Sequence, residues 1–409
     1  MVTKPILLNE TGEAMLAEMQ EQNKILRSIA SGAYARPTDW DDIFSIVRQG
    51  KAQEVFAVGD LIVDQWTDKA TGVTYEVPWQ VGSFKNAILN DGTEVPAMYI
   101  QWHYASPFGV QFNNYQALYH CTEELPAGTY CFEIGTSWGD NLVAGNIYNF
   151  TLTKVVPAGG VLWLNGASIY ESATSAWKIA ALANPKDQEA QEVVLVSAGS
   201  AGTSLGTISS SNPSGKDIGN LQSVAFGYNR WSQSAIRQFL NSDKGIGEWW
   251  TPQNGLDVRP NELFTKHGFM SGMPDRLKAN LRAVKVTTAL NSVSDTGIEE
   301  DNLEETYDKV FLLSLEEMYI ANQLAGEGSA WEYWKRRLGT AAPVGWHPNI
   351  YQELIHYGVE NHSAAQHVRL RSAYRGDSYG AWHVNAGGYA GGNYGARHAH
   401  RFAPGCAIC

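Results

Sequence analysis

The sequence predicts an α+β protein in three parts: an N-terminal helix, a β-rich, sandwich-like domain, and a mixed C-terminal domain. Three observations predict it. Apolar residues at seam spacing run through 11–31, short β runs separated by turn residues fill 54–165, and beyond residue 229 helical patterns alternate with strand patterns. The division expected is 1–33, 34–165 and 166–409.

The first element is TGEAMLAEMQEQNKILRSIAS, residues 11–31. Thr11 can cap it, Gly32 follows its end, and Leu16, Met19, Asn23, Leu26 and Ala30 keep a 3-4-3-4 spacing with the polar Asn23 at an a position. Two heptads do not hold a coiled coil alone; the expectation is a segment that helps oligomerise the chain and attach it to a larger assembly, with a helix docked on its own domain as the alternative. Trp40, Ile43, Phe44 and Val47 then mark one face of a short helix over 40–49.

Strand patterns follow at 61–66, 73–77, 98–104, 115–121, 129–134, 148–155 and 161–164, and a jelly-roll sandwich is the economical arrangement. Trp102, His103, Tyr104, Phe108 and Phe112 admit a sugar-stacking reading, but aromatic residues at strand spacing are more often core. The Ser/Gly-rich stretch 199–219 lacks the motif order of a phosphate cradle and reads as an insertion. NRWSQSAIRQFLNS, 229–242, predicts the clearest helix of the second half. A second helix is expected from the capping box Ser314–Glu317, with strands at 284–288 and 309–313 beside them.

Composition narrows the function classes. The chain has 409 residues, 44 % of them hydrophobic and 18 % charged, and a net charge of -12. Without clustered Lys and Arg this excludes nucleic acid as an expected partner. Apolar runs are short and interrupted, so no membrane insertion and no ordinary signal peptide are expected. Four Cys do not make a disulfide scaffold. Cys121 and Cys131 flank a turn signal, Leu125 to Gly128, and free buried thiols are the favoured reading.

The stretch 371–401, RSAYRGDSYGAWHVNAGGYAGGNYGARHAHR, is unlike the rest. It holds seven Gly and four Tyr, with Val384 its only aliphatic residue larger than Ala, so it cannot form a core of its own. Tyr, Ser, Gly, Asn and Arg are the residues of recognition surfaces. Between Ser372 and His400 there is no Lys, Glu, Gln or Met, and one Trp, although these five types make up 79 of the 409 residues. Randomising the first two bases of an Asn codon never yields those five types. Trp382 alone falls outside the set that it does yield.

With Arg369-Leu370-Arg371-Ser372, Ala381-Trp382-His383-Val384 and Arg401-Phe402-Ala403-Pro404-Gly405-Cys406-Ala407-Ile408, the chain resembles the C-terminal end of a C-type-lectin fold. The version resembled is that of formylglycine-generating enzymes and of the variable proteins of diversity-generating retroelements, most specifically over 222–409. The middle segment resembles, less specifically, one that recurs in tail-associated phage proteins.

The resemblance implies a C-type-lectin-like domain over 166–409 with a variable binding face at 372–400, and a non-enzymatic function in ligand or receptor binding. The expected partner is a cell-surface protein or glycan of a host cell. The expected setting is a phage tail, or the bacterial cytoplasm when made from a prophage, and the expected assembly is a homo-oligomer, with a trimer adding avidity. Ligand contacts are expected from Tyr374, Arg375, Asp377, Ser378, Tyr379, His383, Asn385, Tyr389, Asn393, Tyr394, Arg397, His398 and His400. Trp382 is expected to be scaffold with its ring turned inward, together with Arg369, Leu370, Arg371, Phe402, Pro404 and Ile408.

Two other classes remain in view: a structural tail or baseplate protein, and a copper oxidase of the formylglycine-generating type using Cys406 and Cys409. The CxxC spacing is shorter than that family's, so Cys406 reads as a core residue and Cys409 as an exposed terminal thiol. His398-x-His400 would suit a metal, but Asp377 is the only acidic residue after Asn361, and chance surface histidines are the reading adopted. No metal and no cofactor are expected.

Overall fold

The computed structural model describes residues 37–409 apart from 115–118, 122, 135–142, 159–160, 165–177, 183–190, 195, 198–201, 209–216, 219–220, 224–228, 254–258, 291–302, 322–323, 346–350, 376–379 and 392–393. The helix expected at 11–31, with its assembly role, lies outside the described residues. The protein is a mixed helix-and-sheet protein, mostly strands with few helices. No described helix is long and apolar enough to cross a membrane.

Helix α1 (Trp40–Arg48) forms where its apolar spacing predicts. The Asp39 carboxylate accepts from Asp41 N at its start, and Trp40, Ile43, Phe44, Ile46 and Val47 are buried. It packs on a five-stranded antiparallel sheet built from β1 (Leu61–Asp68), β2 (Val73–Ile88), β3 (Glu94–Trp102) and two strands from the far end of the chain, β6 (Val310–Leu312) and β10 (Pro404–Ile408). The order is β1-β2-β3-β10-β6, with Cys406 opposite Ile100 on one side and Val310 on the other.

That pairing bears on the domain division. One hydrophobic core runs from Trp40 through Phe112 and resumes at Trp231, ending at Cys409. The boundary expected at 165/166 therefore does not follow the core: β1 to β3 share a sheet with strands beyond 300. The separate β-rich block is 119–223 instead, inserted between β3 and the helices that follow. It contains a four-stranded sheet around Gly128–Ile134 and Ile147–Leu152 and a six-stranded sheet around Tyr119–Cys121 and Val161–Leu164. Its buried Phe132, Phe150, Leu152 and Leu205 stand apart from the main core. Cys121 and Cys131 fall in different sheets, not across one hairpin, and Cys131 is a buried free thiol.

Where β2 bulges between Val81 and Ser83, Gly82 lets the Trp331 indole lie on the backbone: an added Cβ would stand 2.1 Å from its ring. Gly82→Ala is expected to cost about 1–3 kcal/mol by overpacking, read as a lowered denaturation midpoint.

The helix expected over 229–242 divides into a single 3-10 turn, Trp231–Gln233, and α2 (Ala235–Leu240). Ser234 between them is extended because its hydroxyl is committed on both sides, donating to Trp231 O (2.9 Å) and accepting from Arg237 N (3.2 Å). The capping box at Ser314 and Glu317 is present, with both reciprocal bonds made (3.0 and 3.2 Å), yet no helix follows. The chain reverses at Tyr319, whose φ is 56°, and the Glu317 oxygen that closes the box also pairs with Arg371. After α3 (Asp275–Asn280), β4 (Val284–Ala289) pairs with β5 (Leu303–Asp308), and α4 (Glu332–Leu338) ends at Gly339, whose φ is 72°. A three-stranded antiparallel sheet completes the C-terminal half: β7 (Val368–Ala373), β8 (Ala381–Val384) and β9 (Ala390–Gly391).

Candidate binding face

The loops that join β7, β8, β9 and β10 contain the unusual stretch, and one side chain gathers four backbone carbonyls along it. Arg369 is 1 % exposed and has no carboxylate partner among the described residues. Its guanidinium donates to four carbonyls: Ala381 O, Tyr394 O (3.1 Å), Gly395 O (3.0 Å) and His398 O (3.2 Å). Five donors in a rigid fork can gather several carbonyls in this way. Burial lowers its pKa to about 9, which leaves it charged at neutral pH.

Two asparagines fix the remaining turns. Buried Asn229 donates to Tyr374 O (3.1 Å) and Gly380 O (2.7 Å), closing the neck of the 375–379 loop beside the backbone bond from Tyr374 N to Gly380 O (2.9 Å). Asn385 Oδ1 accepts from Gly387 N (2.8 Å) and Tyr389 N (3.2 Å), an Asx turn that holds 385–389. The 109–113 segment adds backbone bonds to His400 O and Ala396 O.

On this frame the thirteen expected contact residues divide. Asp377, Ser378, Tyr379 and Asn393 lie outside the described residues. Tyr394 and His398 are exposed, and Tyr374, Arg375, Tyr389, Arg397 and His400 are half-buried. His383 and Asn385 correct the expectation of ligand contact: they are 1 % and 8 % exposed. Asn385 is buried because its amide builds the turn, and His383 because β8 is covered on both faces. Trp382 is 3 % exposed with Tyr374 against its ring, and Arg369, Leu370, Arg371, Phe402, Pro404 and Ile408 are buried, as expected of scaffold.

Sequence reading missed the company that His383 keeps. Its ring lies 5.4 Å from His367, 5.2 Å from His400 and 4.6 Å from Tyr394, with the three imidazoles nearly parallel. Gly391, directly across the ladder, makes room: a Cβ there would stand 2.8 Å from the His383 ring. The only sequence signal was His367, two positions before Arg369. Burial, with Arg369's charge next, lowers His383 to about 3, and burial also lowers His367, His398 and His400. The patch therefore presents neutral rings above a buried cation.

Those shifts predict acid sensitivity. His383 and the buried His356, lowered to about 4 by burial, take up a proton more readily unfolded than folded. Their contribution is complete above about pH 6.5 and is lost as pH falls towards the folded values, at about 1.4 kcal/mol per pH unit for each group. Denaturation at pH 7 and pH 5 should therefore differ by about 3–4 kcal/mol on account of these two groups, with His383→Gln reducing the difference. His398→Ala, on the exposed rim, should change stability at pH 7 by no more than about 0.5 kcal/mol.

Cys409 corrects another expectation, since it is 1 % exposed rather than an exposed terminal thiol. It is buried beside α1, where Arg48 Nε donates to its carbonyl (3.2 Å). Burial pushes the Cys406 thiol well up and raises that of Cys409, so both are protonated at neutral pH. Among the described residues no group of three or more His, Cys, Asp or Glu is arranged to hold a metal ion.

A family model described as domain of unknown function DUF6273 matches residues 202–407, a span that includes the whole face, and the chain belongs to that family. No curated protein matches the chain, and no solved structure does.

Proposed function

We propose, starting from membership of the DUF6273 family, that the chain is a non-enzymatic ligand- or receptor-binding protein. Its face at 372–400 is diversified by a retroelement on a C-type-lectin-type scaffold, and it serves tail-associated phage recognition of a host-cell protein or glycan. The observation that carries this reading is that Arg369 and Asn229 hold the loops through backbone carbonyls, which every amino acid supplies. Side chains above such a frame can change without changing it. The codon pattern supports the same reading: the one residue outside the set, Trp382, is buried. Short helices beside small sheets, and a C-terminal strand paired centrally, support the fold assignment.

Sequencing the DNA around the gene in several isolates tests it. The expected result is a near-copy of the Ser372–His400 coding segment beside a reverse-transcriptase gene, with differences only at its adenines. An identical stretch in every isolate, with no copy nearby, would remove the retroelement and favour a structural tail protein.

A further inference from the structure

The aromatic run from Trp102 to Phe112 divides in the fold. Trp102 and Phe112 are core, and Phe108 lies beneath the Lys266 ammonium, 3.9 Å from its ring centre. His103 and Tyr104 instead line a cleft of about 80 Å³ between β2, β3, helix α4 and the 353–357 segment. Gln80 and Gln101 form its floor, directly opposite each other in the β2–β3 ladder and 5 % and 2 % exposed. Gln101 Oε1 accepts from Trp334 Nε1 (3.3 Å). Gln80 and His103 make no side-chain hydrogen bond to any described residue, and neither amide of the floor is sealed from the cleft. A buried amide without a protein partner points to solvent or a ligand as its partner.

The walls are aromatic. Tyr104 lies flat against His362, with ring centres 4.0 Å apart and planes 5° from parallel. Tyr333 faces the cleft from α4, with the Arg337 guanidinium 5.8 Å over its ring at the mouth. Burial lowers His103, leaving a neutral imidazole that offers one donor and one acceptor.

We propose that this cleft binds the edge of a neutral sugar ring. Amides and a neutral imidazole set donors and acceptors side by side, as vicinal hydroxyls do. A carboxylate or phosphate uses donors only and would leave the lone pairs of these groups unmatched, and the Arg337 Nε at the mouth is already committed to Glu353 O (2.8 Å). The aromatic wall suits the apolar face of a pyranose. The volume takes a few hydroxyl groups, not a whole hexose, so the ligand is the terminal residue of a glycan. None of these residues lies in 372–400, and the site stands whether or not that face varies.

The test is saturation-transfer NMR of the full chain with glucose, galactose, mannose and N-acetylglucosamine, each at millimolar concentration. Transfer is expected from at least one of them, weakened tenfold or more in Gln80→Leu, which keeps the side chain's size, and in the rim variant Tyr104→Ala, and unchanged in Lys69→Ala, an exposed position outside both the cleft and the 372–400 face. If Gln80→Leu does not fold, Tyr104→Ala decides. No transfer from any of the four sugars to the folded chain would overturn the proposal, as would transfer that persists in Tyr104→Ala or is weakened equally in Lys69→Ala.

Discussion

Replacing Arg371 by alanine is expected to destabilise the fold by about 3–5 kcal/mol, the cost of leaving one member of a buried ion pair unpaired. Arg371 is fully buried and its guanidinium touches the Glu317 carboxylate, itself 5 % exposed. It also donates to Leu312 O (2.7 Å), Glu327 O (2.8 Å) and Thr287 O (3.1 Å), tying β7 to β6, β4 and the turn at Glu327. Glu327 in turn accepts from Ala289 N (2.9 Å) and Ser372 Oγ (2.7 Å). One substitution therefore unsettles a whole polar network in the core. Thermal or urea denaturation reads the loss, and Glu317→Leu added to Arg371→Met should recover part of it, because neither charge is then left alone. A loss under about 1 kcal/mol for the single variant would show that water reaches Glu317.

Arg369→Met is expected to cost at least about 3 kcal/mol, since four carbonyls lose charge-assisted partners together. The effect should also be local. Amide exchange across 380–400 should accelerate more than exchange in β1 to β3, because the loops have little apolar surface to hold them. A second readout separates this from general destabilisation. The Arg369 charge contributes to lowering His367, His383, His398 and His400, so their pKa values should rise in the variant, measured by NMR titration in the folded state. Arg369→Lys, which keeps the charge without the fork, should leave the imidazoles low and still loosen the loops.

Much of the local structure was legible because its causes are local. The α1 face, β1 and part of the β2 and β3 runs follow from apolar spacing, although β2 continues from Val77 to Ile88 and β3 starts at Glu94, and the burial of Trp382 agrees with its reading as scaffold. What was not legible depends on partners far along the chain. The seating of β10 between β3 and β6 joins residues some 300 positions apart, and nothing near Met98 or Ile408 announces it. The capping box at Ser314 misled for the same reason: both of its bonds form, but the Glu317 oxygen also pairs with Arg371 and no helix follows. α4 was overlooked although Gly339 and the basic run Lys335 to Arg337 mark its end. At the face, composition identified the stretch but not the depth of each residue. Asn385 and His383 read as contacts by type, while turn geometry and strand register place both inside. His367 lies one strand away from the ring it touches, and spacing along the chain does not reveal that.

If buried groups hold the face through its backbone, its side chains are free to change. The measurement that tests it most directly replaces Arg375, Tyr389, Tyr394, Arg397 and His398 together by serine and compares the denaturation midpoint with that of the parent chain. The expected result is a total change under about 2 kcal/mol, with amide protection across 380–400 retained. A loss as large as that of Arg369→Met, with the loops exchanging freely, would show that these side chains hold the face together, and would contradict it.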